Sequence, residues 1–205
     1  MIEGKPRGKL PGSDCGGEWR SGAEESSTRW RSPSVNLRWS LWVGAWNVLS
    51  LKEDDHLSLL SSELKRLDIG IAELSEVRIP DCGEIMVGGY TYYWSGHSDG
   101  YHSQGVAGAL SNKLTPMIIE VTPVNERIMR LRIHHSFGVI SLVSVYAPTE
   151  ASDLTVKDAF YVTLESVVDQ CPRRDTLLVL GDFKASTGTD RAGCETCVGP
   201  MGLEL

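Results

Sequence analysis

No apolar run in the 205 residues approaches the roughly 20 that a membrane-spanning helix needs, so a helical anchor is not expected. Between Met1 and Pro11 there are basic residues but no apolar signal core behind them, and a soluble intracellular protein, nuclear or cytoplasmic, is expected. The five cysteines are scattered and odd in number, which argues against a disulfide framework and fits reduced thiols. The single C-x-x-C, Cys194-Glu195-Thr196-Cys197, has no second pair and no histidine after it, two ligands short of a zinc site. An excess of basic charge is missing too: a formal net charge of −7 disfavours nonspecific attraction to nucleic acid, whose phosphates call for clustered Lys and Arg. The local basic candidates are Arg127, Arg130 and Arg132, alternating along a predicted strand, and Arg173-Arg174; both groups read first as a solvated face or strand edge. No internal repeat is present.

What remains is a chain 41% hydrophobic and 23% charged, enough for one globular domain with a real core. Residues 1–36 are rich in Gly, Ser, Arg and Glu without apolar periodicity and read as a disordered leader; 37–190 read as the folded part and 191–205 as a flexible tail. Leucines at 57, 60, 64 and 67 predict an amphipathic helix over 57–67 with acidic residues Glu53, Asp54 and Asp55 at its start, and a second helix is predicted over about 156–169. Strands are predicted at 41–48, 69–74, 84–87, 90–94, 105–111, 117–121, 128–134, 138–145 and 176–180, the middle ones close enough in sequence to pair antiparallel.

Four of these strands end in polar residues. Leu177-Leu178-Val179-Leu180-Gly181-Asp182-Phe183-Lys184 places a carboxylate where a buried strand leaves its sheet, and Trp46-Asn47, Ser75-Glu76 and Val145-Tyr146-Ala147-Pro148 do the same with an amide, a carboxylate and a phenol. Taken singly each has a structural reading: Asp182 as a turn former, Asn47 as a strand-end cap, Glu76 as a surface partner of Arg78, Tyr146 as a core aromatic with a wet hydroxyl. Taken together, Asn47, Glu76, Tyr146 and Asp182 could converge on one site.

In that order and context the motifs resemble the endonuclease/exonuclease/phosphatase superfamily, whose members carry a Trp-Asn, a Glu followed by a polar or basic residue, a Val-Tyr-x-Pro and a Gly-Asp-Phe-Asn. Gly88-Gly89-Tyr90-Thr91-Tyr92-Tyr93-Trp94-Ser95-Gly96 and Asn125-Glu126-Arg127-Ile128-Met129-Arg130-Leu131 narrow the resemblance to craniofacial development protein 2-like sequences, which are related to retrotransposon endonuclease domains. The resemblance implies an α+β fold of two face-packed, mainly antiparallel β-sheets flanked by helices, incomplete at the C-terminus. It also implies Mg²⁺-dependent phosphodiester hydrolysis of nucleic acid, DNA before RNA, although no base-reading element here decides among DNA, RNA and a small phosphate ester. By that resemblance Glu76 holds the metal, Asp182 handles the attacking water, and Asn47 and Tyr146 contact the phosphate. Arg78 and Lys184 are then substrate-binding candidates, with His102 and Gln104 in a loop that could line the same cleft.

The chain departs from the family pattern in two places. Lys184 stands where the family has Asn, replacing an amide by a cation whose charge should weaken Mg²⁺ binding or partly replace the ion. The family's closing strands bring a further Asp and an Asp-His pair, and no histidine among His56, His97, His102, His134 and His135 follows Asp182. The expectation is a truncated domain with weak or lost catalysis. The alternative is a noncatalytic interaction or scaffold protein that pairs with another chain through an exposed sheet edge.

Overall fold

The computed structural model describes residues 19–20, 41–100, 102–135, 138–185 and 193. Strands β1 (Trp19–Arg20), β7 (Ile118–Asn125), β8 (Ile128–His135), β9 (Gly138–Tyr146) and β10 (Thr176–Asp182) form one five-stranded sheet in the order β1-β7-β8-β9-β10. Strands β2 (Trp42–Asn47), β3 (Ile69–Ser75), β4 (Cys82–Val87), β5 (Tyr90–Ser95) and β6 (Val106–Ser111) form the other, in the order β2-β3-β6-β5-β4. Helix α1 (Asp54–Arg66) connects β2 to β3, and α2 (Leu154–Asp169) connects β9 to β10.

Every predicted strand and both predicted helices are present, and the expected two-sheet α+β sandwich is the fold. The sheets are mixed rather than uniformly antiparallel: β2 pairs β3 in parallel, and β9 pairs β10 in parallel. The reason is connection length, since each pair is bridged by a helix that carries the chain back to the starting end, whereas the remaining pairs are joined by turns or short loops or lie on opposite courses. Within the predicted leader only Trp19 and Arg20 are described, and they pair antiparallel with Val121 and Glu120 at the edge of β7. Apart from Gly193, the predicted tail at 191–205 lies outside the described residues.

Between the sheets the core is built from Ile71, Val106 and Leu110 of one layer and Val121, Met129, Leu131, Ile133, Leu142 and Tyr146 of the other. Outside it, α1 lays Leu57, Leu60 and Leu64 on Ala72, Leu74, Tyr90 and Tyr92, each leucine contributing about 1.5–3 kcal/mol by its burial. Leu67, predicted as the fourth residue of that face, is instead the C-cap and is exposed, because the helix stops at Arg66. The Gly88-Gly89 turn between β4 and β5 presses on the same helix: Gly88 has φ +60°, and a Cβ there would meet the Ser61 Cβ at 2.3 Å. On the opposite side α2 buries Phe160 and Val167 against Ile128, Val143 and Val145.

The expected solvated face of alternating arginines is not what forms. Arg130 is buried and paired with Glu120, and the Arg132 guanidinium spans Asp175 at 2.8 Å and Glu120 at 3.7 Å. Strand β8 is an inner strand, flanked by β7 and β9, so its outward side chains meet neighbours rather than water. Arg127 donates to the Tyr146 carbonyl oxygen at 3.1 Å and lies over the Tyr146 ring. Arg173 and Arg174, in the turn before β10, are exposed as expected.

Candidate active site

The site lies where the carboxyl ends of β2, β3, β9 and β10 meet. The parallel register aligns Asn47 with Ser75 in one sheet and Tyr146 with Asp182 in the other, and β10 lies against β2 across the interlayer seam. Four residues quoted from separate sequence motifs are thereby brought into one hydrogen-bonded group.

Glu76 is its centre. Its Oε1 accepts from Asn47 Nδ2 at 2.8 Å and from the Tyr146 hydroxyl at 3.1 Å, while its Oε2 accepts from the Arg78 guanidinium at 2.8 Å. Asn47 Nδ2 also donates to Asp182 Oδ2 at 3.0 Å, so one amide ties both carboxylates together. Lys184 Nζ sits 2.6 Å from Asp182 Oδ2 and 3.4 Å from Glu76 Oε1, and 5.3 Å from the centre of the Tyr146 ring. All six predicted site residues, Asn47, Glu76, Arg78, Tyr146, Asp182 and Lys184, are thus assembled.

The backbone that holds them is strained. Glu76, Arg78 and Lys184 have φ of +59°, +55° and +49°, a region that costs a non-glycine residue about 1–3 kcal/mol and persists only when its surroundings enforce it. Local hydrogen bonds do so: the Arg78 N–H donates to the Gln104 carbonyl oxygen at 2.7 Å, and the Lys184 N–H to Asp182 Oδ1 at 3.1 Å. His102 is exposed, its Nδ1 3.2 Å from the Arg78 carbonyl oxygen, so the two loop residues support the Arg78 turn rather than joining the carboxylate cluster. Gly181 makes the close approach of β10 possible, since a Cβ there would fall 1.9 Å from the Val145 carbonyl oxygen at φ +149°.

Burial alone would raise the Glu76 carboxyl, but the hydrogen bonds from Asn47, Arg78, Tyr146 and Lys184 outweigh it and hold the group at about 2. Asp182 is likewise raised by burial and brought below its ordinary range by Lys184 and Asn47. The Asp182 hydrogen bond in turn raises the Lys184 ammonium, and burial followed by Glu76 raises the Tyr146 phenol. At neutral pH the cluster holds two carboxylates, an ammonium and a guanidinium, with no net charge.

Two carboxylates and an amide are the hard donors that Mg²⁺ takes, but their arrangement here does not fit the ion. Asn47 turns its N–H₂, not its oxygen, toward the carboxylates, and both Glu76 oxygens and Asp182 Oδ2 are engaged by donors. Among the described residues no group of three or more His, Cys, Asp or Glu side chains is placed to hold a metal. Lys184 occupies the position between the carboxylates with its own positive charge.

Sequence reasoning missed Glu73. It lies on β3 with no exposure and with neither carboxyl oxygen partnered, and burial, then the Asp182 charge, push it up to about 9. The signal was present: an apolar run long enough to be buried on both faces leaves a carboxyl within it no exposed side.

No protein-family profile matches the chain. Craniofacial development protein 2 from Bos taurus is 26% identical over 147 residues, 72% of this chain and 24% of that protein, and the Tragulus javanicus protein is 26% identical over 147 residues, covering 25% of its length. The chain therefore spans about a quarter of the length of these relatives. Among solved structures, the Xenopus laevis APE2 catalytic domain matches with a TM-score of 0.52 at 18% identity, covering 69% of this chain and 58% of that one. The endonuclease domain of TRAS1, a telomere-specific non-LTR retrotransposon, matches at 0.52 and 19% identity over 70% and 60% of the two chains. An AP endonuclease from Archaeoglobus fulgidus matches at 0.52 and 18% identity over 70% and 57%. At these identities the structural likeness establishes the fold.

Proposed function

We propose that this chain, which has the endonuclease/exonuclease/phosphatase fold and is similar to craniofacial development protein 2, carries a nuclease-type phosphodiester site that Lys184 holds in a state of weak or no activity. The observation behind this reading is the Lys184 ammonium seated between Asp182 and Glu76 at 2.6 and 3.4 Å. The ligand is nucleic acid, DNA ahead of RNA, which suits a nuclear or cytoplasmic setting. No helix among the described residues is long and apolar enough to cross a membrane.

Arg78 and Lys184 are the groups that would take phosphate oxygens, Arg78 by a two-pronged contact, with the Tyr146 hydroxyl and the Asn47 amide as neutral donors beside them. Asp182 is the group that would activate a water, but a carboxylate held below its ordinary range and paired with an ammonium is a poor proton acceptor. Bound Mg²⁺ would supply charge neutralisation and a more acidic water, and Glu76 is the residue that would hold it once Lys184 is out of the way.

Replacing Lys184→Asn removes the competing charge. Thermal unfolding with and without millimolar Mg²⁺ should show the variant binding the ion at least about tenfold tighter than the wild type, a modest change for like charges a few ångströms apart. Metal-dependent nicking of DNA should rise in parallel and vanish in the Lys184→Asn, Glu76→Ala double variant. Identical Mg²⁺ responses in wild type and Lys184→Asn would refute the proposed block.

A noncatalytic reading is favoured by a separate observation. Trp42 and Trp46 on edge strand β2, Leu49 just after it, and Phe183 just after edge strand β10 are all exposed. A protein that pairs through this edge would lose its partner on Trp42→Lys, with no change in its response to Mg²⁺.

A further inference from the structure

Behind the carboxylate cluster, three buried side chains hold polar atoms without partners: both carboxyl oxygens of Glu73, Ser75 Oγ and Ser144 Oγ. Glu73 and Ser144 are fully shielded and Ser75 is 1% exposed. Strand alternation puts Glu73 and Ser75 on the face of β3 that carries Ile71, and Ser144 on the face of β9 that carries Leu142 and Tyr146. Ile71, Leu142 and Tyr146 belong to the interlayer core, and β3 lies against β9 across it. All three orphaned side chains therefore point between the sheets.

The register partners of Glu73 are small and carry no polar side chain that could reach it. Its neighbour on β2 is Ala45 and on β6 is Gly108, small residues on both sides of a carboxyl. On the Gly108 side the other layer closes in, since a Cβ there would come within 2.3 Å of Leu131 Cδ1. Buried polar groups in native proteins are satisfied by protein or by ordered water, and orphaned oxygens turned inward from facing strands are the setting in which internal water is found.

We propose that Glu73, Ser75 and Ser144 form an internal water site behind the cluster, with Glu73 standing in it as an uncharged carboxylic acid linked through water to both serine hydroxyls. An acid O–H and two hydroxyls give that water donors as well as acceptors. A hard cation is the less suited occupant: the residues offer two carboxyl and two hydroxyl oxygens, fewer than the six to eight ligands of Ca²⁺ or the octahedron of Mg²⁺. Of the charged and titratable groups near it, Asp182 comes from β10, Tyr146 from β9, and Glu76, Arg78 and Lys184 from the loops, while Ala45 and Gly108 present none. Burial and the Asp182 charge both favour the protonated form, and an uncharged Glu73 leaves the Asp182–Lys184 pair balanced. The site draws on the geometry of the cluster and not on its activity.

Infrared spectroscopy of the purified chain tests this without reference to catalysis. At pH 7 the wild type should show the carbonyl stretch of a protonated carboxylic acid, and the near-isosteric Glu73→Gln should lack it. A Ser75→Ala, Ser144→Ala double variant, which removes two small hydroxyls and keeps the fold, should move that band to higher frequency as hydrogen bonds through the water are lost. No Glu73-dependent band at pH 7, or a band unmoved in the double variant, would overturn the proposal. A band that disappears on addition of K⁺ or Mg²⁺ at constant pH would identify a cation site instead. Absence of nicking in any variant bears on the proposed function alone and leaves this band where it is.

Discussion

Gly181 shows how much one missing methylene decides. Its φ of +149° and the 1.9 Å between its absent Cβ and the Val145 carbonyl oxygen mean that Gly181→Ala must push β10 away from β9 just before Asp182. Stability should fall by more than about 1 kcal/mol, read as a lower midpoint in urea at unchanged m-value. The same residues show what the sequence makes legible. Asn47, Glu76, Tyr146 and Asp182 stand at the ends of apolar runs, and chain ends of adjoining strands meet in space, so their convergence could be read in advance. That Lys184 bridges the two carboxylates could not, because a side chain's reach depends on the left-handed turn that aims it. Glu73 escaped notice because hydrophobic pattern registers what surrounds a carboxyl and not whether it has a partner.

Among the elements, the strands and helices follow from period and turn residues, and what the sequence withheld was their direction. The pairs β2/β3 and β9/β10 are parallel because α1 and α2 intervene, and these are the strands whose carboxyl ends carry Asn47, Ser75, Tyr146 and Asp182. The arginine network also exists only at this level. Arg132 donates to Asp175, which accepts from Ser141 at 2.8 Å, while Arg130 and Arg132 both reach Glu120, so ion pairs join β7, β8 and the approach to β10 and a hydroxyl hydrogen bond adds β9. Arg132→Ala leaves the buried carboxyl of Asp175 without its cation and should cost about 3–5 kcal/mol by urea unfolding. Arg132→Met with Asp175→Asn, which removes both charges together, should cost markedly less.

For the whole molecule, pH sets two carboxyls against each other. Glu73 titrates at about 9 in the folded chain against an ordinary 4.5, so its contribution is complete below 4.5 and is lost as pH rises through 9. Glu76, held at about 2, contributes above 4.5 and loses that contribution as pH falls through 2. Unfolding free energies measured between pH 5 and pH 9 should decline with a Glu73 slope of up to about 1.4 kcal/mol per pH unit, and Glu73→Gln should flatten it. An equal slope in the variant would mean that Glu73 is not the titrating group.

Asn47 and Glu76 come from one layer and Tyr146 and Asp182 from the other, and two hydrogen bonds, Asn47 to Asp182 and Tyr146 to Glu76, cross between them. The site is thus a clasp at one end of the two halves, added to the packing between them and to the hydrogen bonds Ser95 and Gly105 make to the Asn125 and Glu126 carbonyl oxygens. A state that keeps its strands and helices but loosens that packing, as proteins do under mild acid, would forfeit the clasp while its far-ultraviolet spectrum stayed intact. Conversely, a small anion or metal gripping both halves would act as a splint, and its effect would be seen first in the near-ultraviolet signals of Tyr146 and its aromatic neighbours.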